Sequence, residues 1–318
     1  MLRYLVHRMV EAALVLLGMS FLIYLLLGLM PGDPIDLLAS GDPNITSEDL
    51  ARLRAVYGVD QPLLARYGHW LQGALTGDFG YSRLYARPVT ELMGPRLANT
   101  CLLMGLSFAL ALLIALPAGI LAAVRPRSGL DYALNLVAFA GISVPSFWFA
   151  LLMILLFSVI LGWLPAGGVQ SIGAAGLSDR ALHLVLPVLT LTVLTVGGIL
   201  RFTRSAMIEA LRQDYVRTAR AKGLSTTRVV VGHALRNAMI PVVTILALNF
   251  GALFSGALIV ETMFAYLGMG KMIYDAIIGN DFNLALVGLL FATLLTLFSN
   301  LGADVVYAWL DPRISYAD

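Results

Sequence analysis

The stretch DYVRTARAKGLSTTRVVVGHALRNAMIP, residues 214–241, carries Arg217, Arg220, Lys222, Arg228 and Arg236, yet very apolar sequence lies on both sides of it. Residues 214–225 contain good helix formers and no proline, and Gly223 offers a helix stop. Ser225 or Thr226 is placed to cap a second short helix. Glu209 and Asp214 precede Arg212, Arg217 and Thr218 at three- and four-residue spacings, which supports the helix. Ala219, Ala221 and Gly223 are small and stand among Arg217, Arg220 and Lys222. The stretch therefore reads as a short, stiff, basic element. Two roles are open to it: an anchor whose cations reach anionic lipid, or a contact surface for another protein, which the small residues favour.

The flanking sequence decides where this element sits. Hydrophobic residues make up 59% of the chain and charged residues 13%, against about 25% charged in an ordinary soluble domain. The mean hydropathy is +0.85. A bilayer core of ~30 Å needs about 20 apolar helical residues, and six stretches qualify: 9–30, 102–124, 133–161, 181–200, 238–260 and 282–303. The fourth is the weakest, being short and containing His183 and Pro187; Pro117 also falls inside a span. Alternating ten-residue runs of the barrel type are absent. The first apolar run is too long for a signal-peptide core and no small-residue cleavage site follows it, so it is expected to be a retained helix. The single cysteine, Cys101, excludes an internal disulfide framework and a Cys-rich metal site.

Orientation follows from Lys and Arg in the short loops. Arg3 and Arg8 precede the first span, Arg125 and Arg127 follow the second, and residues 201–238 are the most cationic of all. The loops between hold Arg180 and Lys271. This pattern expects both ends and the basic loop in the cytoplasm, with 31–98 outside. That outer loop has helical signals of its own. Thr46 with Asp49 resembles a capping box and Gly58 a stop. Pro62 then opens a helix in which Leu63, Leu64, Tyr67, Trp70, Leu71 and Leu75 share a helical spacing, closed by Gly77. It reads as a cap packed on the membrane surface or as a docking surface for an external partner.

Several chemistries lack their residues. A phosphate loop needs G-x-x-x-x-G-K-[ST]; the only Gly-Lys pair, Gly270-Lys271, has Ala265 for the first glycine and Met272 for the hydroxyl residue. Ser143 and His183 form a pair on paper only, without a nucleophile-elbow sequence or an orienting third group. His7, His69 and His233 are scattered, so no metal site and no catalytic residue are expected. Ion-driven carriers show ionisable groups near the midplane, often in repeated halves. Here Glu11 lies near a span end, and neither pattern is present. A stand-alone secondary transporter is therefore the alternative reading. For a translocation path the spans offer Asn135, Thr192, Asn249, Ser255 and Asn300, each of which could equally serve interhelical hydrogen bonds. Asn249 is the best candidate because Gly251 and Gly256 permit close helix approach. Glu261 sits where the fifth span meets the outside: it could hold an outer gate, contact an external partner, or be a solvated helix end.

The 214–241 stretch resembles the cytoplasmic coupling loop of binding-protein-dependent ABC import permeases, closest to the dipeptide/oligopeptide/nickel subfamily. MPGDP at 30–34, YGVDQPLLARYGHWL at 57–71, GDFGYS at 77–82, PRLANT at 95–100, VET at 260–262 and LDPRI at 310–314 resemble that subfamily's first permease, so the likeness covers nearly all 318 residues. It departs from the family in having Arg236 where a proline is general (Pro241 follows), Leu267 in FAYLGMG where a proline is common, and Asn280 in GNDF where an arginine is common.

The resemblance implies an all-α integral membrane protein with six transmembrane helices and the type I importer permease fold. It implies a cytoplasmic N-terminus and first helix at 1–30, an extracytoplasmic loop at 31–98, a permease core at 99–310 with its coupling loop at 201–238, and a cytoplasmic tail at 311–318. The coupling element would be 214–224, with Asp214, Tyr215, Arg217, Thr218, Ala219, Ala221, Lys222, Gly223 and Leu224 meeting an ATPase. Asn249, Ser255 and Glu261 would serve the substrate path or outer gate. Implied partners are a second homologous permease subunit, two cytoplasmic ATPase subunits carrying ATP and Mg, an extracytoplasmic solute-binding protein and the lipid bilayer of a bacterial-type inner membrane, with no nucleic acid. This chain would bind no cofactor itself, and the cargo would be peptides or related small solutes.

Overall fold

A computed structural model describes residues 2–29, 46, 61–173 and 176–310. Asp49, the expected capping-box partner of Thr46, and the expected stop Gly58 fall outside the described residues, as do MPGDP and most of LDPRI. The described residues up to Ala98, with Lys271–Leu294, form one compact unit; Asn99–Gly270 and the described residues from Leu295 form another.

In the first unit, α1 (Leu2–Gly28) is apolar along nearly its whole length, and Glu11 near its start is paired with Arg8 at 3.1 Å. Helix α2 (Leu63–Leu75) follows Pro62, whose missing N–H costs nothing at a helix start. Its Leu63, Tyr67 and Trp70 share one face and pack on Ile23, Tyr24 and Leu286. Tyr24 meets Tyr67 and Phe282 edge-on, at 5.5 and 5.0 Å between ring centroids, the arrangement that ring quadrupoles prefer. The hydroxyls of Ser20 and Tyr67 pair at 2.7 Å, which gives each of these two a partner in this apolar seam. A two-residue hairpin, β1 (Tyr81–Ser82) against β2 (Arg87–Pro88), follows. The buried Asp281 ties it down: its carboxylate accepts from Ser82 Oγ at 2.5 Å and Leu84 N at 3.0 Å, and also from Leu284 N at 3.3 Å in the first turn of the last helix.

The second unit is built on long helices. Helix α3 (Val89–Val124) enters it from the first unit and runs unbroken through Pro95 and Pro117. Helix α4 (Gly129–Ser143) starts at Ser128, whose Oγ accepts from Asp131 N at 3.2 Å. It turns into α5 (Ser146–Met153) and a π-helical segment (Ile154–Ile160) through a bend of 101°. The expected single span over 133–161 is therefore sharply broken. Val144 precedes Pro145 and adopts extended backbone (φ −85, ψ 127), because the proline ring excludes the helical region for its predecessor. Helix α6 (Leu177–Leu211) has 35 residues and is not interrupted by Pro187; its length of about 52 Å exceeds the ~30 Å hydrocarbon core. Within the basic loop, α7 (Asp214–Ala221) and α8 (Thr226–Val229) lead through a π-helical turn (Val230–Ala234) into α9 (Leu235–Met263). Helices α10 (Met269–Ile278) and α11 (Phe282–Leu310) complete the described chain.

By length and apolarity, five described helices could each cross a membrane, or six spans if the bent pair counts as one. Small residues set the packing between them, as expected where lipid removes the hydrophobic drive for helix association. Ala111, Ala115 and Ala138 pack with Ile199, Leu200, Val242 and Leu246. A Cβ on Gly119 would lie 2.8 Å from the Leu200 carbonyl oxygen, and one on Gly141 3.0 Å from that of Val193, so α3 and α4 both approach α6 backbone to backbone.

Candidate functional site

The basic element of 214–224 is a folded ledge. Gln213 is extended and α7 begins at Asp214, with an acid in the first turn and Arg220 in the last, matching the helix dipole. Gly223 adopts a left-handed φ of +78. Its N–H bonds to Arg220 O at 2.9 Å and that of Leu224 to Ala219 O at 3.3 Å, the paired closure that ends a helix at glycine. Ser225 then precedes α8 without a side-chain capping bond.

The ledge has two faces. Val216 and Ala219 point inward and are buried with Ala123, Met207, Ala210, Val229, Val230, Ala234 and Ala238, with Leu224 packed alongside. Ala219 is thus small because its own chain packs on it. Asp214, Tyr215, Arg217, Thr218, Ala221, Lys222 and Gly223 are exposed. Arg217 pairs with Asp214 at 3.3 Å, but both are largely solvated, so the pair adds little stability. Beside this face is a cleft of about 400 Å³ lined by Tyr215, Thr218, Ala219, Lys222, Leu224 and His233. The arrangement suits reversible contact with a macromolecule: cations and an aromatic ring outside, a rigid apolar seat beneath, and direct continuity with α6.

A second polar constellation closes the other end of α9. Glu261 is fully buried, so it is not a solvated helix end. Thr100 Oγ1 donates to its carboxylate at 2.5 Å and accepts from Met269 N at 2.7 Å. Asn99 Nδ2 donates to Leu267 O at 2.8 Å, and Tyr266 N to Glu261 O at 2.8 Å. FAYLGMG is therefore wrapped around one carboxylate. A Cβ on Gly268 would overlap the Glu261 carboxylate, and one on Gly270 would come within 2.5 Å of Leu258 Cα. The glycine of the Gly270-Lys271 pair thus serves close packing, and Lys271 is held by Asp275 at 2.8 Å. Gly168 N donates to Phe264 O at 2.8 Å from a neighbouring loop. Burial, and next the nearby Glu261 charge, push the Tyr266 phenol up to about 12 from its ordinary 10.0.

The remaining path candidates divide. Thr192 is buried and donates to Ser107 O at 3.2 Å across helices. Asn135 donates to Asp131 in its own helix at 2.8 Å. Asn300 is exposed. Asn249 and Ser255 lie on α9, but their side chains are outside the described residues. His183 is buried, and its Nδ1 sits 2.9 Å from Asp179 O, which engages the ring within its own helix. Sequence reasoning missed Thr100, which lies 161 positions from Glu261. It also missed an ion pair between Asp131 and Arg204. The available signal for that pair was an acid and a base, each just beyond the end of an apolar run.

Comparison with known proteins gives one consistent result. Residues 115–316 match the family described as "Binding-protein-dependent transport system inner membrane component". Residues 1–89 match "Binding-prot-dependent transport system membrane comp, N-term". Similar relatives include the "Oligopeptide transport system permease protein AppB" of Bacillus subtilis (strain 168), 40% identical over 318 residues, covering 99% of this chain and 100% of the relative. The "Glutathione transport system permease protein GsiC" of Escherichia coli (strain K12) is 38% identical over 316 residues, covering 99% and 100%. Among solved structures, a chain of "Inward facing conformations of the MetNI methionine ABC transporter: CY5 native crystal form" superposes with a TM-score of 0.59 at 20% identity, covering 70% of this chain and 97% of that one. At that identity the likeness concerns the fold.

Proposed function

We propose a function from one premise: this chain belongs to the family of binding-protein-dependent transport system inner membrane components. It is a multi-pass membrane subunit of an ABC importer, with no enzymatic role of its own. It pairs with a second permease, takes cargo from an extracytoplasmic solute-binding protein, and is driven by two cytoplasmic ATPases. The cargo is peptide-like, a reading supported by relatives named for oligopeptides and glutathione. Both termini and the 201–238 loop face the cytoplasm, where Arg201 to Arg236 concentrate positive charge. Residues 31–98 lie outside, 99–310 are the permease core, and 311–318 form a cytoplasmic tail.

The observation that carries this reading is the ledge itself. A ligand-driven partner moves a membrane bundle only if its push reaches rigid elements with two packing arrangements. Helix α7 is seated on Met207 and Ala210 of α6, so a push on its exposed face is delivered to that helix rather than absorbed by a loop. Tyr215, Arg217, Thr218, Ala221 and Lys222 form the docking face; Val216, Ala219 and Leu224 fix it to the bundle, and Gly223 ends it. At the outer end the 264–270 loop closed on Glu261 acts as the gate, and Asn249 and Ser255 line the path behind it.

The experiment is capture of the ATPase subunits by the purified permease pair. Ala221→Glu and Lys222→Glu should insert normally and capture less ATPase, by about fivefold or more, the usual span of an inter-site coupling. Normal capture and normal uptake by both variants would remove α7 from the coupling role.

A further inference from the structure

The ion pair between Asp131 and Arg204 joins the start of α4 to α6. Arg204 donates Nε to one Asp131 oxygen at 2.6 Å and Nη2 to the other at 2.7 Å, a two-pronged grip that fixes orientation as well as distance. The carboxylate also accepts from Arg127 N and from Asn135 Nδ2, both at 2.8 Å. Arg127 adopts a left-handed φ of +60, the conformation in which its N–H meets this carboxylate. Asp131 is 3% exposed. One turn earlier on α6, the Arg201 guanidinium lies 4.6 Å from the centroid of the Phe139 ring on α4, a second cationic link between the same two helices.

Asp131 is buried while Arg204 is partly exposed, and a pair of this kind is poor evidence for stability, because desolvation and solvent screening offset much of the attraction. Its value lies in geometry. Arg204 stands two turns before the end of α6, and the chain then passes directly into α7. Displacement of α7 therefore reaches Arg204 before the apolar part of α6, and α4 is held there by two prongs. Farther along, Gly141 and Gly197 bring α4 and α6 into close contact, where a Cβ on Gly141 would lie 3.0 Å from Val193 O.

We propose that Asp131 and Arg204 are positioning residues that make α4 follow α6 when the coupling element moves. The pair carries the ATPase stroke into the bent third span. This rests on the coupling role given to α7 above.

The test uses the assembled importer with its ATPases. Cys101, the sole cysteine, is replaced by alanine, and nitroxide labels are placed at Tyr132→Cys and Phe202→Cys, both exposed positions on α4 and α6. The inter-label distance is compared without nucleotide and with a non-hydrolysable ATP analogue. The proposal expects the same distance in both states; a change above about one helical turn, ~5.4 Å, overturns it. In parallel, uptake of a radiolabelled oligopeptide pool per ATP hydrolysed should fall about fivefold or more in Asp131→Asn, and uptake per ATP at the native level overturns the proposal. Should that variant fail to assemble, Arg204→Lys, which keeps the charge but loses the fork, should give an intermediate ratio, and a native ratio counts against it. Failure of the coupling role itself shows separately, as native uptake by Lys222→Glu.

Discussion

Gly223 makes the clearest single-residue claim. At φ +78 an L side chain is strained, so Gly223→Ala should weaken the end of α7 by about 1–2 kcal/mol. The expected outcome is faster amide hydrogen exchange at Gly223 and Leu224, whose N–H groups close the helix, and Gly223→Asn should be milder because asparagine tolerates this conformation. Gly268 makes a second claim, at the other end of the unit. Its added Cβ would collide with the Glu261 carboxylate, so Gly268→Ala should cost about 1–3 kcal/mol, read as a lower thermal midpoint of the detergent-solubilised protein. Tyr266 gives a pH signature. Its folded pKa is raised above its ordinary value, so the protonated phenol favours the fold below pH 10 and that contribution is lost as pH rises toward about 12. Tyr266→Phe should flatten this alkaline limb in a stability–pH profile.

Among the elements, α7 is the one whose two faces predict different phenotypes. Met207 is fully buried beneath it, so Met207→Ala should destabilise the ledge by about 2–5 kcal/mol, measured by thermal unfolding. Val216→Asp should be worse, since it places an unpaired carboxylate in an apolar seat, and is expected to lower folded yield. Arg217→Glu, on the exposed face, should leave the thermal midpoint in place and weaken ATPase capture. The apolar spans and the glycine stop were readable in the sequence because both signals are local: a run of apolar residues, and Gly223 after a helical stretch. The inward turn of Ala219 was not, because which face of α7 is covered depends on α6 and on the π-helical turn beyond it. Prolines show the same limit. Pro145 stands at a break in its span whereas Pro187 and Pro241 lie inside continuous helices, and a helix that packs against neighbours can absorb a missing N–H. Thr100 and Glu261, and likewise Asp131 and Arg204, are distant in sequence, so their partnership appears only once the helices are assembled.

For the whole molecule, the central claim is that a chain with no phosphate loop is moved by another chain's nucleotide cycle, through a basic ledge stiffened by its own core. The most direct measurement is oligopeptide uptake into proteoliposomes containing the permease pair, the binding protein and the ATPases, with each component omitted in turn. The account predicts uptake only when the ATPases and ATP are both present, and a loss of about fivefold or more in Lys222→Glu. Uptake by this chain alone under an ion gradient, or full ATP-driven uptake by Lys222→Glu, would contradict it.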